Sequence, residues 1–187
     1  MAAAYFVVFC AAIPTALAGP YDPPPTYYNS ATGTGATLKN QLRSIMTSGQ
    51  IPRSYGDFRY SAKITDADPN IPGNILLVYN RASVSGVWNQ GGQLPWNREH
   101  VWPQSLQPGS ASNGTKGNLG DPHALRPANT QINSDRGHRA FGFENTSGSY
   151  RTIGNDYFYP GDADRGDIAR QLFYSTTRYA SSNLTLV

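Results

Sequence analysis

The chain has one cysteine in 187 residues, Cys10, and only three histidines. Each shortage removes a class of chemistry. Cys10 falls inside an N-terminal apolar run, so the rest of the chain holds no disulfide framework, thiolate nucleophile or thiolate zinc site. A domain of this length buries about 70% of its unfolded-chain surface and can fold without disulfides. No stretch approaches the ~20 apolar residues that a membrane-spanning helix needs. Charge is sparse, at 14% of residues, with a net charge of +3. Lysine is scarce too: of fifteen cationic side chains only Lys39, Lys63 and Lys116 are lysines, which leaves twelve arginines. Arginine binds phosphate bidentately where lysine is a point charge. That balance agrees with a polyanionic partner without establishing one.

The length fits one domain. Residues 1–18 read as a secretory signal, because the apolar run over 4–13 is followed by Ala16-Leu17-Ala18, a small-x-small cleavage site. A secreted or periplasmic monomer with no membrane span is expected. Residues 19–30 form a proline-rich lead-in and residues 31–187 the folded domain. Leu38, Leu42, Ile45 and Met46 recur at helical spacing and predict a core-packed helix over 35–48, capped by Thr34 and ended by Gly49. A short helix is expected within 54–64 and a buried strand over 74–79. Loops follow over 85–95 and 104–120, then a strand over 123–126 and a helix over 130–141. Residues 149–159 are β-prone. A last helix over 165–180, capped by Asp162 or Asp164, turns Ile168, Leu172, Phe173 and Tyr179 inward. The mixture predicts an α+β fold.

The segment Trp96-Asn97-Arg98-Glu99-His100-Val101-Trp102-Pro103 is the most informative in the chain. Glu99 can hold a hard cation through oxygen. His100, when neutral, can take a proton from water near pH 7. A cation and a base side by side make a hydrolytic site. The order strand, loop, strand, helix can bring the end of the first strand against the start of the helix, where Asn133 offers an amide oxygen to the same cation. Mg²⁺ accepts such a set with waters. Adjacent residues of a strand face opposite ways, so irregular backbone is expected over 99–102 to let Glu99 and His100 share one site.

Further blocks surround this one. They are Tyr27-Tyr28, Ser54-Tyr55-Gly56-Asp57, Asp66-Ala67-Asp68-Pro69, Pro72-Gly73-Asn74, His123 to Pro127, Asn133 to Gly137, Gly166-Asp167-Ile168-Ala169-Arg170 and Arg178-Tyr179. In this order they resemble the endonuclease I family of secreted or periplasmic nucleases, built on the ββα-metal (His-Me finger) motif. The resemblance implies a single domain with a ββα-metal core and surrounding helices. It implies that His100 is the general base, and that Glu99 and Asn133 hold one divalent cation, Mg²⁺, with Mn²⁺ or Ca²⁺ as substitutes. The implied substrate is DNA, with RNA left open as a second substrate, bound through its phosphate backbone and cut with little base preference to leave 5′-phosphates. Two features depart from the family. Asp121-Pro122-His123-Ala124 replaces its usual Asp-Leu-His-Asn or -His, and the chain stops at Val187 where relatives continue, so the C-terminal part of the domain is expected to be short.

Among the other polar residues, Arg126 is expected to act catalytically by clamping the scissile phosphate. Arg136 would contact phosphate, or else pair with Asp121 or Asp135. Arg139 and His123 are further nucleic-acid-binding candidates, although His123 reads first as a hydrogen-bonded structural histidine. His138 faces solvent or supports the site from behind. Arg98 points away from the catalytic pair, and Trp96 and Trp102 belong to the core. Two rival readings are kept: a catalytically impaired nucleic-acid-binding remnant, and a zinc hydrolase using His100, His123 and His138.

Overall fold

The computed structural model describes residues 22–88, 96–143, 147–179 and 184. The signal segment expected over 1–18 lies outside them, as do the start of the lead-in and most of the loop expected over 85–95. Helix α1 spans Gly35–Thr47 and α2 Phe58–Thr65. Two short strands follow, β1 (Asn74–Leu76) and β2 (Ser83–Ser85), paired antiparallel. Strands β3 (Asn97–His100) and β4 (Leu125–Ala128) form an antiparallel ribbon, and α3 (Thr130–Arg136) leads directly out of β4. A three-stranded sheet comes next: β5 (Ala140–Phe141), β6 (Arg151–Ile153) and β7 (Tyr157–Tyr159), with β7 in the centre. Helix α4, Arg165–Arg178, closes the fold. Mixed helix and strand in one small unit agree with the α+β expectation. No helix among the described residues is long and apolar enough to cross a membrane.

The β3–β4 ribbon lies between two clusters of apolar side chains. On one side are Phe58, Ala62, Ile75, Leu77, Trp96 and Leu125. On the other are Val78, Tyr79, Val101, Ala128, Ile132, Phe158 and Ile168. The register Glu99↔Arg126 and His100↔Leu125 sorts the faces. Cross-strand partners point the same way and neighbours along a strand point oppositely. His100 therefore shares a face with Leu125, toward α2. Glu99 shares a face with Val101 and Ala128, toward α3. The outer edge of β4 is taken by Val78, whose N–H donates to Pro127 O at 2.8 Å. Among the described residues no strand pairs with the outer edge of β3.

Several expectations shift for local physical reasons. The backbone is regular through His100 and bends only at Val101–Trp102, so the irregularity expected over 99–102 begins two residues late. His123 sits in a 3-10 turn, Pro122–Ala124, because the Asp121 carboxylate accepts from its N–H and caps the turn before β4 begins. The helix expected over 130–141 starts as its cap dictates: Asn129 Oδ1 accepts from the N–H groups of Gln131 and Ile132. It stops at Gly137, whose φ of +54° favours glycine. The stripe on α1 is only half-buried, lying along α4 rather than in a core. Phe173, expected inward, is 60% exposed.

Asp164 holds the N-cap position of α4 but does not cap it. Its carboxylate, wholly buried, accepts instead from the Tyr79 N–H at 2.8 Å and from Arg81 Nη1 at 3.1 Å. It thereby fixes the sharp turn after Val78, where Tyr79 has a φ of +76°. Asp164→Ala should cost about 3 kcal/mol in urea unfolding, since a buried amide loses its acceptor. Asp167→Ala, which breaks an exposed pair with Arg170, should cost less than about 0.5 kcal/mol.

Candidate functional site

A cavity of about 340 Å³ opens along the free edge of β3. Tyr55, Arg98 and His100 line one side, Glu99, Asn133 and Arg136 the other, and residues 103–105 face them. The edge position resolves the difficulty of adjacent residues. Glu99 and His100 leave opposite faces of β3, and both reach a space that wraps around its unpaired side.

His100 is buried and held on two sides. Its ring stacks on Tyr55, 5.0 Å between centroids and 19° between planes. Its Nε2 lies 2.9 Å from Leu119 O. A carbonyl oxygen can only accept, so Nε2 carries the proton. In the neutral ring Nδ1 is then the free acceptor, which is the state a general base needs. Burial pushes the imidazole pKa below its ordinary 6.5, against the pull of the Leu119 carbonyl, with Arg98 and Arg136 pushing the same way as burial. The ring is therefore neutral at neutral pH.

Glu99 is 3% exposed. Both of its hydrogen bonds fall on Oε1: the Tyr79 hydroxyl donates at 2.6 Å and Arg136 Nη1 at 3.0 Å. Burial pushes its pKa up; Arg136 and the tyrosine hydroxyl oppose that. Among the described residues Oε2 takes no hydrogen bond. Asn133 donates through Nδ2 to Asn97 Oδ1 at 2.8 Å, which turns its own Oδ1 away from that partner, also without a hydrogen bond. Neither oxygen is among the sealed partnerless atoms, which include Nε of Arg98 and of Arg136. Two solvent-reachable oxygens without partners therefore line one cavity, a donor set suited to a hard divalent cation. It contains a single carboxylate, and among the described residues no three His, Cys, Asp or Glu side chains cluster in a metal-binding group.

Two arginine expectations need correction, and a third arginine is placed without being tested. Arg126 lies beside Glu99 in register, but its Nε donates to the buried carboxylate of Asp66 at 2.6 Å and it lines a different cavity. That pairing engages its Nε, and the Asp66 carboxyl is itself pushed up by burial against the pull of Arg126. Arg136 is 1% exposed, so it contacts no phosphate from solvent. Its pair is with neither Asp121 nor Asp135 but with Glu99, and it also donates to His100 O at 3.1 Å and Val101 O at 2.9 Å. Arg139 curls back on the helix to Asp135 O.

The histidines other than His100 stand apart from the cavity. His123, whose side chain is 69% exposed, bonds Asp121 through Nδ1 at 2.9 Å and stacks on Tyr174. It lines the cavity that holds Arg126. His138 is exposed on the turn after α3. Arg98, expected to point away from the pair, instead lines the cavity beside His100, with Nη1 donating to Tyr55 O at 2.9 Å; Trp96 is fully buried. Sequence reasoning missed Tyr79, Tyr55 and Leu119. Tyr55 had a signal, its glycine-linked block. Leu119 acts through its backbone and had none.

The sequence profile of the endonuclease I family matches residues 34–186. An extracellular ribonuclease of Bacillus subtilis (strain 168) is 41% identical over 168 residues, covering 87% of this chain and 56% of that protein. An extracellular ribonuclease of Bacillus amyloliquefaciens is 39% identical over 161 residues, covering 82% and 53%. The chain spans about half the length of these relatives. No solved structure gives a significant match.

Two outcomes follow for stability. Arg136→Ala leaves the Glu99 charge buried and unpaired and should cost about 3–5 kcal/mol in chemical denaturation. Arg136→Met with Glu99→Gln should recover part of that loss. At His123, the hydrogen bond to Asp121 raises the imidazole pKa, against burial. A raised folded-state pKa stabilises fully below the unfolded value and fades as pH rises through the folded one. The melting temperature should therefore fall more between about pH 6 and about pH 9 in the parent than in His123→Ala, as read by thermal scans.

Proposed function

The chain belongs to the endonuclease I family, and on that premise we propose that it is an exported, divalent-metal-dependent nuclease. It hydrolyses the phosphodiester bonds of RNA and DNA with little regard to base sequence. The unit β3, loop, β4 and α3 is its ββα-metal finger. The observation that carries this reading is the commitment of His100 Nε2 to Leu119 O, with the free oxygens of Glu99 and Asn133 on the same cavity.

His100 Nδ1 takes a proton from a water molecule. The water oxygen bonds to phosphorus as the bond from phosphorus to the 3′-oxygen breaks, and that oxygen leaves to take up a proton. The phosphate stays on the 5′ side. Glu99 Oε2 and Asn133 Oδ1 are the groups that would hold the cation. A bound Mg²⁺ supplies positive charge where negative charge grows on the phosphate and the leaving oxygen. Only one carboxylate serves it, and Arg136 already offsets that charge, so affinity is modest and Mn²⁺ or Ca²⁺ can replace Mg²⁺. A water nucleophile has no need of a ribose 2′-hydroxyl, so both nucleic acids are substrates. The relatives' names as extracellular ribonucleases support RNA and export. A zinc site of three histidines has no support, because His123 and His138 do not line this cavity.

The purified chain should degrade RNA and plasmid DNA with millimolar Mg²⁺, and EDTA should stop it. His100→Ala should lower the rate by about 10²–10⁴. The acid limb of the parent's rate profile should have its midpoint below 6.5, with a plateau above it, because only the neutral ring accepts a proton. Full activity in EDTA, or in His100→Ala, would overturn the assignment. Binding of nucleic acid without cleavage at millimolar Mg²⁺ would favour the impaired remnant.

A further inference from the structure

Outward from the His100 imidazole, aromatic rings and guanidinium groups alternate. His100 stacks on Tyr55. Arg98 sits 3.6 Å from the centre of the Tyr55 ring and 5.0 Å from that of Trp88. Arg59 lies 6.0 Å from the Trp88 ring and 5.6 Å from the Tyr60 ring. Tyr60 is 61% exposed. The ladder runs from the cavity over the first turn of α2 to the surface, while the helix buries Phe58 and Ala62 on its other side. Gly56 allows this path: a Cβ there would stand 2.6 Å from Asn113 O, so only glycine lets the turn carrying Tyr55 press against that loop.

The inner and outer rungs differ in what they leave unused. Arg98 is committed, with Nη1 donating to Tyr55 O and to Asn113 Oδ1. Arg59 spends only Nε, on Gly56 O at 2.8 Å, and among the described residues its two terminal nitrogens carry no hydrogen bond. The neighbouring Asp57 carboxylate is turned back to the Ser54 N–H. An exposed ring beside a guanidinium with free donors matches one kind of ligand. A base of any identity stacks on the ring, and a phosphate takes the fork. A duplex keeps its bases stacked within itself and cannot offer one to Tyr60.

We propose that the outer rungs, Trp88, Arg59 and Tyr60, are a binding track for single-stranded polynucleotide, leading to the cavity on the free edge of β3. A phosphate sits on Arg59 and a base on Tyr60; that the strand continues to a cleavage site rests on the function proposed above. The track holds substrate several nucleotides from the scissile bond. It reads neither base identity nor sugar.

The test is binding of a fluorescent single-stranded oligonucleotide of about twelve nucleotides, followed by anisotropy in EDTA so that nothing is cut. Tyr60→Ala should weaken binding about tenfold, and Tyr60→Phe should bind like the parent. Phe173→Ala, at an equally exposed aromatic on α4, should also bind like the parent. Arg59→Ala should lower the salt slope of log K by about 0.7, one phosphate contact on a single strand. Parent-like binding by Tyr60→Ala, an equal loss in Phe173→Ala, or no binding by the parent would each overturn the track. A parent that cleaves but ignores Tyr60 refutes the track and leaves the nuclease reading standing. A parent that binds through Tyr60 but never cleaves does the reverse.

Discussion

The buried guanidinium of Arg136 fastens helix to strand at the point where the chemistry is assembled. It reaches three consecutive residues of β3 and its exit: the Glu99 carboxylate, the His100 carbonyl and the Val101 carbonyl. Helix α3 has seven residues and would not persist alone. It is held by this guanidinium, by the buried side chain of Ile132 and by the bond from Asn133 to Asn97. A buried ion pair adds little net stability over well-packed apolar groups. Its worth here is geometric. Bonding one oxygen of Glu99 fixes which oxygen is left, and placing α3 fixes where Asn133 points.

Glu99 thus divides its two oxygens between structure and chemistry. Oε1 belongs to Tyr79 and Arg136, and Oε2 to the cavity. His100 shows the same division between its nitrogens, with Nε2 given to Leu119 O and Nδ1 left open. Asn133 repeats it a third time, with Nδ2 on Asn97. In each case the protein uses one end of a two-ended group to aim the other. Precision then comes from hydrogen bonds already made rather than from bulk around the site.

The convergence of Glu99, His100 and Asn133 on one cavity was legible because Glu99 and His100 are contiguous and because a strand, loop, strand, helix order brings Asn133 back to them. The start of α3 at residue 130 was legible, but its end was not: the expected helix ran to 141 and Gly137 stops it first. The arginines were not legible either. A guanidinium shows its type in the sequence but not its partner, which folding alone selects. Arg126 looked like a phosphate clamp because it flanks the presumed metal pocket in sequence, yet its Nε is taken by Asp66, far off in sequence, and it lines a different cavity. Arg136 was expected at phosphate for the same reason, yet it points into the ribbon. Phe173 misled for a related reason: helical spacing placed it inward, but α4 turns Ile168 to the core and Ser175 and Thr176 are buried in its later turns.

An unpaired strand edge is usually a liability, since it invites a further strand. Here the free edge of β3 is where the site opens, and its surroundings explain why it stays available. Pro103 follows within three residues of His100 and cannot donate to a ladder. Tyr55 stands against one face and α3 against the other, so the opening is walled on both sides. A β-strand entering it would need a continuous row of partners and would find only four residues of β3 before the bend at Val101. A polynucleotide needs no such row. On the function proposed above it needs donors and rings at intervals, and the walls carry Arg98, Asn133 and the Tyr55 ring. The same edge that brings opposite faces of one strand to a single cavity would, on that reading, also select the kind of chain that can lie along it.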